Sequence, residues 1–152
     1  MVTIRTAEPR DWKQLAVLRT LLWPDAPYEQ HLGELEAGPS AWSQAGFPME
    51  WLVAEDDSGE MVGFVEVGIR SHADGCDTRQ PVGYLEGWFV REEHRRKGIG
   101  RALLCAAEDW SRAHGCGEMA SDALVDNAGS EKAHRALGFE IVDRCIHFRK
   151  KL

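Results

Sequence analysis

Apolar and polar positions change period several times along this chain, and the changes mark its elements. Val2, Ile4 and Thr6 alternate with polar neighbours and predict a short strand. Glu8-Pro9 opens a helix: proline suits a first turn, and Trp12, Leu15, Ala16, Leu18 and Leu22 recur at helical spacing. Trp23-Pro24-Asp25-Ala26-Pro27 ends it, because neither proline continues a helix. Tyr28–Ala37 predicts a second, more polar helix, stopped by Gly38-Pro39. Met49–Glu55 and Met61–Arg70 read as a hairpin turning through Asp57-Ser58-Gly59, and Val82–Val90 reads as a third long strand. Gly98–His114 predicts a helix with apolar Ile99, Ala102, Leu103, Ala106, Ala107 and Trp110. A short strand over Glu118–Ser121, a helix over Ala128–Leu137 ended by Gly138, and a last strand or strand pair over Ile141–Lys150 complete the chain. The order βααβββαβαβ predicts an α/β domain with a mixed sheet. No repeat, low-complexity tract or linker divides residues 1–152, so one domain is expected.

Composition narrows the class. Hydrophobic residues make up 43% and charged residues 28%, so the chain can bury a core and need not be disordered. Lys+Arg 18 against Asp+Glu 25 leaves a net charge of −7, which disfavours nucleic acid as a partner and favours a cationic one. No apolar run approaches the ~20 residues that span a bilayer, and Met1-Val2-Thr3-Ile4-Arg5 lacks the apolar core of a secretory leader. A cytoplasmic protein with no membrane partner is therefore expected. Cys76, Cys105, Cys116 and Cys145 form no Cys-x-x-Cys pair and read as reduced thiols. His31, His94, His114 and His147 show no ligand spacing, so no metal is expected.

One stretch concentrates basic charge. Five of the 18 basic residues fall within Arg91–Arg101, where a predicted strand turns through glycines into a predicted helix. Arg95-Arg96-Lys97-Gly98-Ile99-Gly100-Arg101 suits an anion. A helix start offers unpaired N–H groups and the positive end of its dipole, and glycines let a ligand approach the backbone. It is neither a Walker loop nor a Gly-x-Gly-x-x-Gly dinucleotide turn. The plainer alternative is a solvated helix start.

Arg95-Arg96-Lys97-Gly98-Ile99-Gly100 resembles the Arg/Gln-x-x-Gly-x-Gly/Ala signature of the GNAT superfamily of acetyl-CoA-dependent N-acetyltransferases. Asn127, with His134 seven residues later and Gly138-Phe139 from eleven, is similar to that superfamily's late segment, which commonly has tyrosine where His134 stands. Over most of the chain, Leu22-Trp23-Pro24, Ile69-Arg70, Asp74-Gly75-Cys76-Asp77, Tyr84-Leu85-Glu86-Gly87, Met119-Ala120-Ser121-Asp122, Ala136-Leu137-Gly138-Phe139 and Phe148-Arg149-Lys150 resemble the aminoglycoside 6′-N-acetyltransferases. The resemblance implies the GNAT fold, a central, mostly antiparallel sheet with flanking helices. It also implies transfer of acetyl from acetyl-CoA to an aminosugar amine. Ala26 and Ser71-His72-Ala73 depart from the pattern, both in the region expected to meet substrate.

That chemistry needs a held donor, an aimed neutral amine, a stabilised oxyanion and a proton for the leaving thiolate. The resemblance assigns the pyrophosphate to the Arg96–Arg101 backbone. It assigns the pantetheine amides to Trp88, Phe89 and Val90, added as if to a further strand, and puts a bulge near Glu86-Gly87 that frees the Trp88 N–H for the thioester oxygen. Glu86, a carboxylate in an apolar run, and Asp122 at a strand end are the candidates to bind the substrate ammonium and, secondarily, to relay its proton; a cap or surface ion pair is the alternative. Trp23 and Asp143 are weaker substrate candidates. His134 either protonates the sulfur, holds a water that does, or packs beside the cofactor. Asn127 either reaches the pantetheine arm or caps the next helix. Trp42 and Trp51, flanking Gly46-Phe47-Pro48, are candidates for the substrate mouth.

A polyamine, another small amine or a protein N-terminus is the alternative acceptor, and an acyl-CoA-binding sensor the non-enzymatic one. The resemblance also suggests a homodimer. The alternating tail Cys145-Ile146-His147-Phe148-Arg149 would be either a strand exchanged between subunits or the completion of its own sheet.

Overall fold

The computed structural model describes residues 1–41 and 46–152. Its strands are β1 (Val2–Thr6), β2 (Met49–Asp56), β3 (Met61–Arg70), β4 (Val82–Val90) and β5 (Met119–Ser121). Its α-helices are α1 (Trp12–Leu22), α2 (Tyr28–Ala37), α3 (Ile99–Ala113) and α4 (Ala128–Ala136). The strands form one mixed sheet in the order β1-β2-β3-β4-β5, antiparallel except for the parallel pair β4–β5. Pro9 opens a 3₁₀ turn, Pro9–Asp11, and the α-helix begins after it at Trp12.

Strand alternation sorts the core to two faces. Leu52, Ala54, Val65 and Val67 pack under Leu103, Leu104 and Ala107 of α3. Trp51, Val53 and Phe64 point the other way, against Leu15 and Leu18 of α1 and Leu35 of α2. β3 is therefore covered on both faces and reads as a continuous apolar run, interrupted only by Glu66 and two glycines. Trp51 is completely buried in the second cluster, so it lies in the core and not at a substrate mouth. Trp42 falls outside the described residues.

The expected strand over 141–150 is not formed. Residues 139–152 carry no regular structure, and Ile146 and Phe148 are 79% and 90% exposed. An alternating pattern specifies which side chains share a face, but a strand also needs a ladder partner. Among the described residues this segment pairs with no strand of its own chain.

Candidate functional site

The site is organised by the two edges of β4. Along one edge β4 is paired to β3 from Val82 to Val90, with a bulge: Glu66 faces Gly87 and Val67 faces Leu85, leaving Glu86 as the extra residue. Along the other edge β5 pairs only Gly83, Tyr84 and Leu85. Beyond Leu85 the two strands part. The 86–90 edge of β4, including Trp88, Phe89 and Val90, has no strand partner among the described residues. Such an edge presents backbone N–H and C=O groups to an extended amide chain, with the Val90 carbonyl already accepting from Arg95 Nε at 2.9 Å.

Following β4 forward leads to the basic turn. Arg95, Arg96, Lys97, Gly98 and Arg101 are exposed, whereas Ile99 is buried and anchors the helix to the core. Arg96 has φ 59° and Gly98 φ 82°, so two left-handed residues turn the backbone into α3. A non-glycine residue there is strained, a feature associated with ligand clamps. Gly98 is the N-cap of α3 and supplies no capping side chain, so the first N–H groups of the helix are left for another acceptor. Gly100 packs against Trp88, whose indole Nε1–H donates to the Gly100 carbonyl at 3.2 Å. The free edge of β4 and the helix start are thus locked together.

On the opposite face of the sheet lies a cleft of about 390 Å³ between α1, α2 and the strands β3 and β4. Trp23, Ala26, Arg70 and Glu86 line it, with Arg19, Glu34, His31 and Glu66 at its inner end. Trp23 lies against Gly87, where even a Cβ would overlap the indole ring, Cζ2 at 2.8 Å. The ring is stacked on His31, centroids 6.4 Å apart. His31 Nε2–H donates to the Trp23 carbonyl at 3.1 Å.

Of the carboxylates expected to meet substrate, neither Glu86 nor Asp122 is free. Arg70 donates to both oxygens of Glu86, Nε to Oε1 at 2.9 Å and Nη2 to Oε2 at 2.7 Å. Its Cζ stands 3.4 Å from the centroid of the Tyr84 ring. The Tyr84 hydroxyl donates to Asp122 Oδ2 at 2.5 Å. Burial and this hydrogen bond push the Tyr84 phenol well above its ordinary range, so it stays a donor. Glu86, Arg70, Tyr84 and Asp122 form one row across β4, two carboxylates separated by a cation and a phenol.

His134 comes from α4 to the point where β4 and β5 part. Its ring meets Trp88 and Phe139 edge to face, at 5.5 and 5.1 Å. Nδ1–H donates to the Ser130 carbonyl at 2.8 Å, and Nε2 lies 2.9 Å from Ser121 Oγ. Asn127 is the N-cap of α4, its Oδ1 accepting from the Ser130 N–H at 3.0 Å. Asp143 does not line the cleft: it is exposed and accepts from the Arg144 backbone, because the tail that carries it is not drawn into the sheet. Among the described residues no group of three or more His, Cys, Asp or Glu side chains could hold a metal. No helix there is long and apolar enough to cross a membrane.

A strand that splits from its neighbour beside a glycine-turned basic helix start matches a known family. The acetyltransferase (GNAT) family model covers residues 15–139. The chain belongs to the GNAT acetyltransferase family. It is 43% identical over 151 residues to an aminoglycoside N(6′)-acetyltransferase type 1 from Stenotrophomonas maltophilia, covering 99% of this chain and 94% of that protein. It superposes on AAC(6′)-Iy in complex with the bisubstrate analogue CoA-S-monomethyl-acetylneamine with a TM-score of 0.88 and 35% identity, covering 100% and 99% of the two chains. It superposes on the aminoglycoside antibiotic 6′-N-acetyltransferase AAC(6′)-Ih from Acinetobacter baumannii with a TM-score of 0.87 and 34% identity, covering the same shares.

Sequence reasoning passed over Arg70, Tyr84, Ser121 and the inner end of the cleft. Glu66 was legible by the argument applied to Glu86, a carboxylate inside the apolar run Met61–Ile69. Burial holds its carboxyl above the ordinary range while Arg19, Nη1 at 3.8 Å, pulls the other way. Arg70, Tyr84 and Ser121 carry no such signal, because their partners are distant in sequence.

Proposed function

We propose that the protein transfers acetyl from acetyl-CoA to the 6′-amine of an aminoglycoside within one ternary complex, and so confers resistance to the drug. The observation that carries the reading is the meeting of two unlike surfaces at the Glu86 bulge. The free β4 edge leads there from a basic helix start, and a cleft containing Glu34, Glu66 and Glu86 opens there from the other face. The family match supports the acetyl donor, and the names of the relatives support the acceptor.

In this reading the backbone from Arg96 to Arg101 binds the pyrophosphate, with Arg95, Arg96, Lys97 and Arg101 adding positive charge. The pantetheine amides pair with Trp88, Phe89 and Val90, which brings the thioester to the bulge with its oxygen toward the Trp88 N–H. Asn127 flanks the pantetheine arm. Trp23 forms the cleft wall. Glu86 and Asp122 bind ammonium groups of the drug. An amine with a reference pKa of about 10 is mostly protonated at neutral pH, so one of these carboxylates or water takes its proton before attack. His134 supplies the proton for the thiolate. The reading includes a single domain over 1–152, a cytoplasmic location and a homodimer. The exposed alternating tail through Ile146 and Phe148 supports a strand exchanged between subunits.

Thiol release from acetyl-CoA, followed with a kanamycin-type drug, spermidine and a peptide, tests the class of acceptor. Turnover is expected with the drug. Preference for spermidine or the peptide selects the other acceptor class, and no turnover with any acceptor favours a sensor. Mass spectrometry with a matched 6′-amino and 6′-hydroxyl drug pair tests the position: only the first should gain acetyl, and equal acetylation moves the chemistry to another amine.

A further inference from the structure

We infer that the Ser121 hydroxyl, rather than the imidazole itself, hands the proton to the departing thiolate, with His134 behind it as the source. This rests on the reading that acetyl-CoA lies along β4. The Ser130 carbonyl can only accept, so His134 Nδ1, 2.8 Å away, carries a proton directed into the first turn of α4. That nitrogen is committed to its own helix. Nε2 is the remaining ring nitrogen, and Ser121 Oγ stands 2.9 Å in front of it. Neither nitrogen is left to meet a sulfur directly.

Ser121 has a second partner, the Leu85 carbonyl at 3.1 Å, which also can only accept. The hydroxyl has one proton for two positions. With Nε2 protonated, the imidazolium donates to Ser121 Oγ and the hydroxyl donates onward to Leu85. With Nε2 unprotonated, its lone pair competes with Leu85 for that proton. Ser121 is therefore built to pass a proton forward while receiving one from behind. Its location fits that role. Ser121 is the last residue of β5, paired with Leu85, where β4 and β5 separate and the bulge begins. A thioester threaded along the 86–90 edge ends there.

The amine lone pair forms the C–N bond, and the C–S bond breaks with its electron pair on sulfur. The Ser121 hydroxyl turns from the Leu85 carbonyl and its proton goes to sulfur as the Nε2 proton of His134 moves to Ser121 Oγ. The proton shed by the acetylated nitrogen goes to water, and His134 regains its own from solvent.

Steady-state kinetics on Ser121→Ala, Ser121→Thr, His134→Ala and the Ser121→Ala/His134→Ala double variant, each checked for a cooperative melt, test this. Ser121→Ala should lower kcat about tenfold or more with KM for acetyl-CoA little changed. Thr, which keeps the hydroxyl, should restore most of the loss. The double variant should be no worse than His134→Ala, because the two act as one unit. If His134→Ala is impaired but Ser121→Ala stays within about twofold of wild type, or the two losses multiply, the relay is overturned and His134 remains the acid. If His134→Ala is also near wild type, the relay and the acid role both fall, while turnover with the drug still decides the acetylation reading.

Discussion

β4 borders two regions that are built in different ways. At its carboxyl end the chain runs through Arg91–Lys97 into α3, so the free strand edge, the basic turn and the helix start come from one contiguous stretch. On the cleft side, Arg19 comes from α1, Glu34 from α2, Glu66 and Arg70 from β3, and Glu86 from β4. The first region works with backbone: the N–H groups of a helix start, two left-handed residues and an edge with no strand partner among the described residues. The second works with side chains, and its charges are already engaged with each other, Arg70 with Glu86 and Arg19 with Glu34, both at 2.7 Å. A backbone device tolerates few residue types but is insensitive to side-chain exchange elsewhere. A side-chain cleft can be retuned one charge at a time, which suits a surface that chooses among acceptors.

The largest effect should come from placing charge in the backbone device. Gly98→Asp or Gly100→Asp should weaken acetyl-CoA binding on the order of a hundredfold by calorimetry, through repulsion and loss of the N–H cradle. Gly98→Ala carries the same strain at φ 82° without the charge, and should lose only several-fold. Equal losses in both would make strain, not charge, the cause.

Side-chain changes in the cleft should leave acetyl-CoA affinity intact. Glu86→Gln should raise KM for an aminoglycoside by about tenfold, since a charge-assisted hydrogen bond contributes roughly 1.5–3 kcal/mol. Arg70→Met tests the other half of the pair. If the substrate ammonium takes the place of Arg70 on Glu86, that variant keeps or lowers KM; a rise as large as that of Glu86→Gln would mean that Arg70 orients the carboxylate for the drug.

Gly87→Ala sits at the seam between the two regions. The new methyl would overlap the Trp23 ring, so a loss of about 1–3 kcal/mol is expected, seen as a lower Tm, with KM for the drug rising before that for acetyl-CoA. Unequal effects in the reverse order would place Trp23 outside the acceptor wall.

The smallest effect concerns Glu66. Its folded-state pKa is raised, chiefly by burial, so its contribution is fully present below the unfolded pKa of about 4.3 and is lost as pH rises through the folded value. Glu66→Gln removes that loss. Its Tm relative to wild type should therefore climb by a few degrees from about pH 4 to about pH 8. A difference that stays flat or falls would show that Arg19 holds Glu66 charged throughout.

What could be read in the sequence follows the same division. Periodicity and turn residues together located the five strands and four helices formed by the described residues, because alternation, 3.6-residue spacing and Gly/Pro breaks are local signals. The Arg95–Gly100 signature needed no knowledge of packing, since the groups it offers are consecutive backbone atoms. Glu86 stood out as a charge in an apolar strand, and the bulge beside Gly87 was expected from the family resemblance. Only the tertiary structure decided that Glu86 is held by Arg70, Asp122 by Tyr84 and His134 by Ser121. Each pair joins separate elements, at separations of 16, 38 and 13 residues, and nothing in either partner's local pattern names the other. Trp51 was drawn into the core by its place on the inward face of β2, a register set by pairing with β1 and β3. The tail from 141 to 150 has the alternation of a strand but no ladder in its own chain among the described residues, because side-chain period fixes a face and a hydrogen-bonded partner must come from elsewhere.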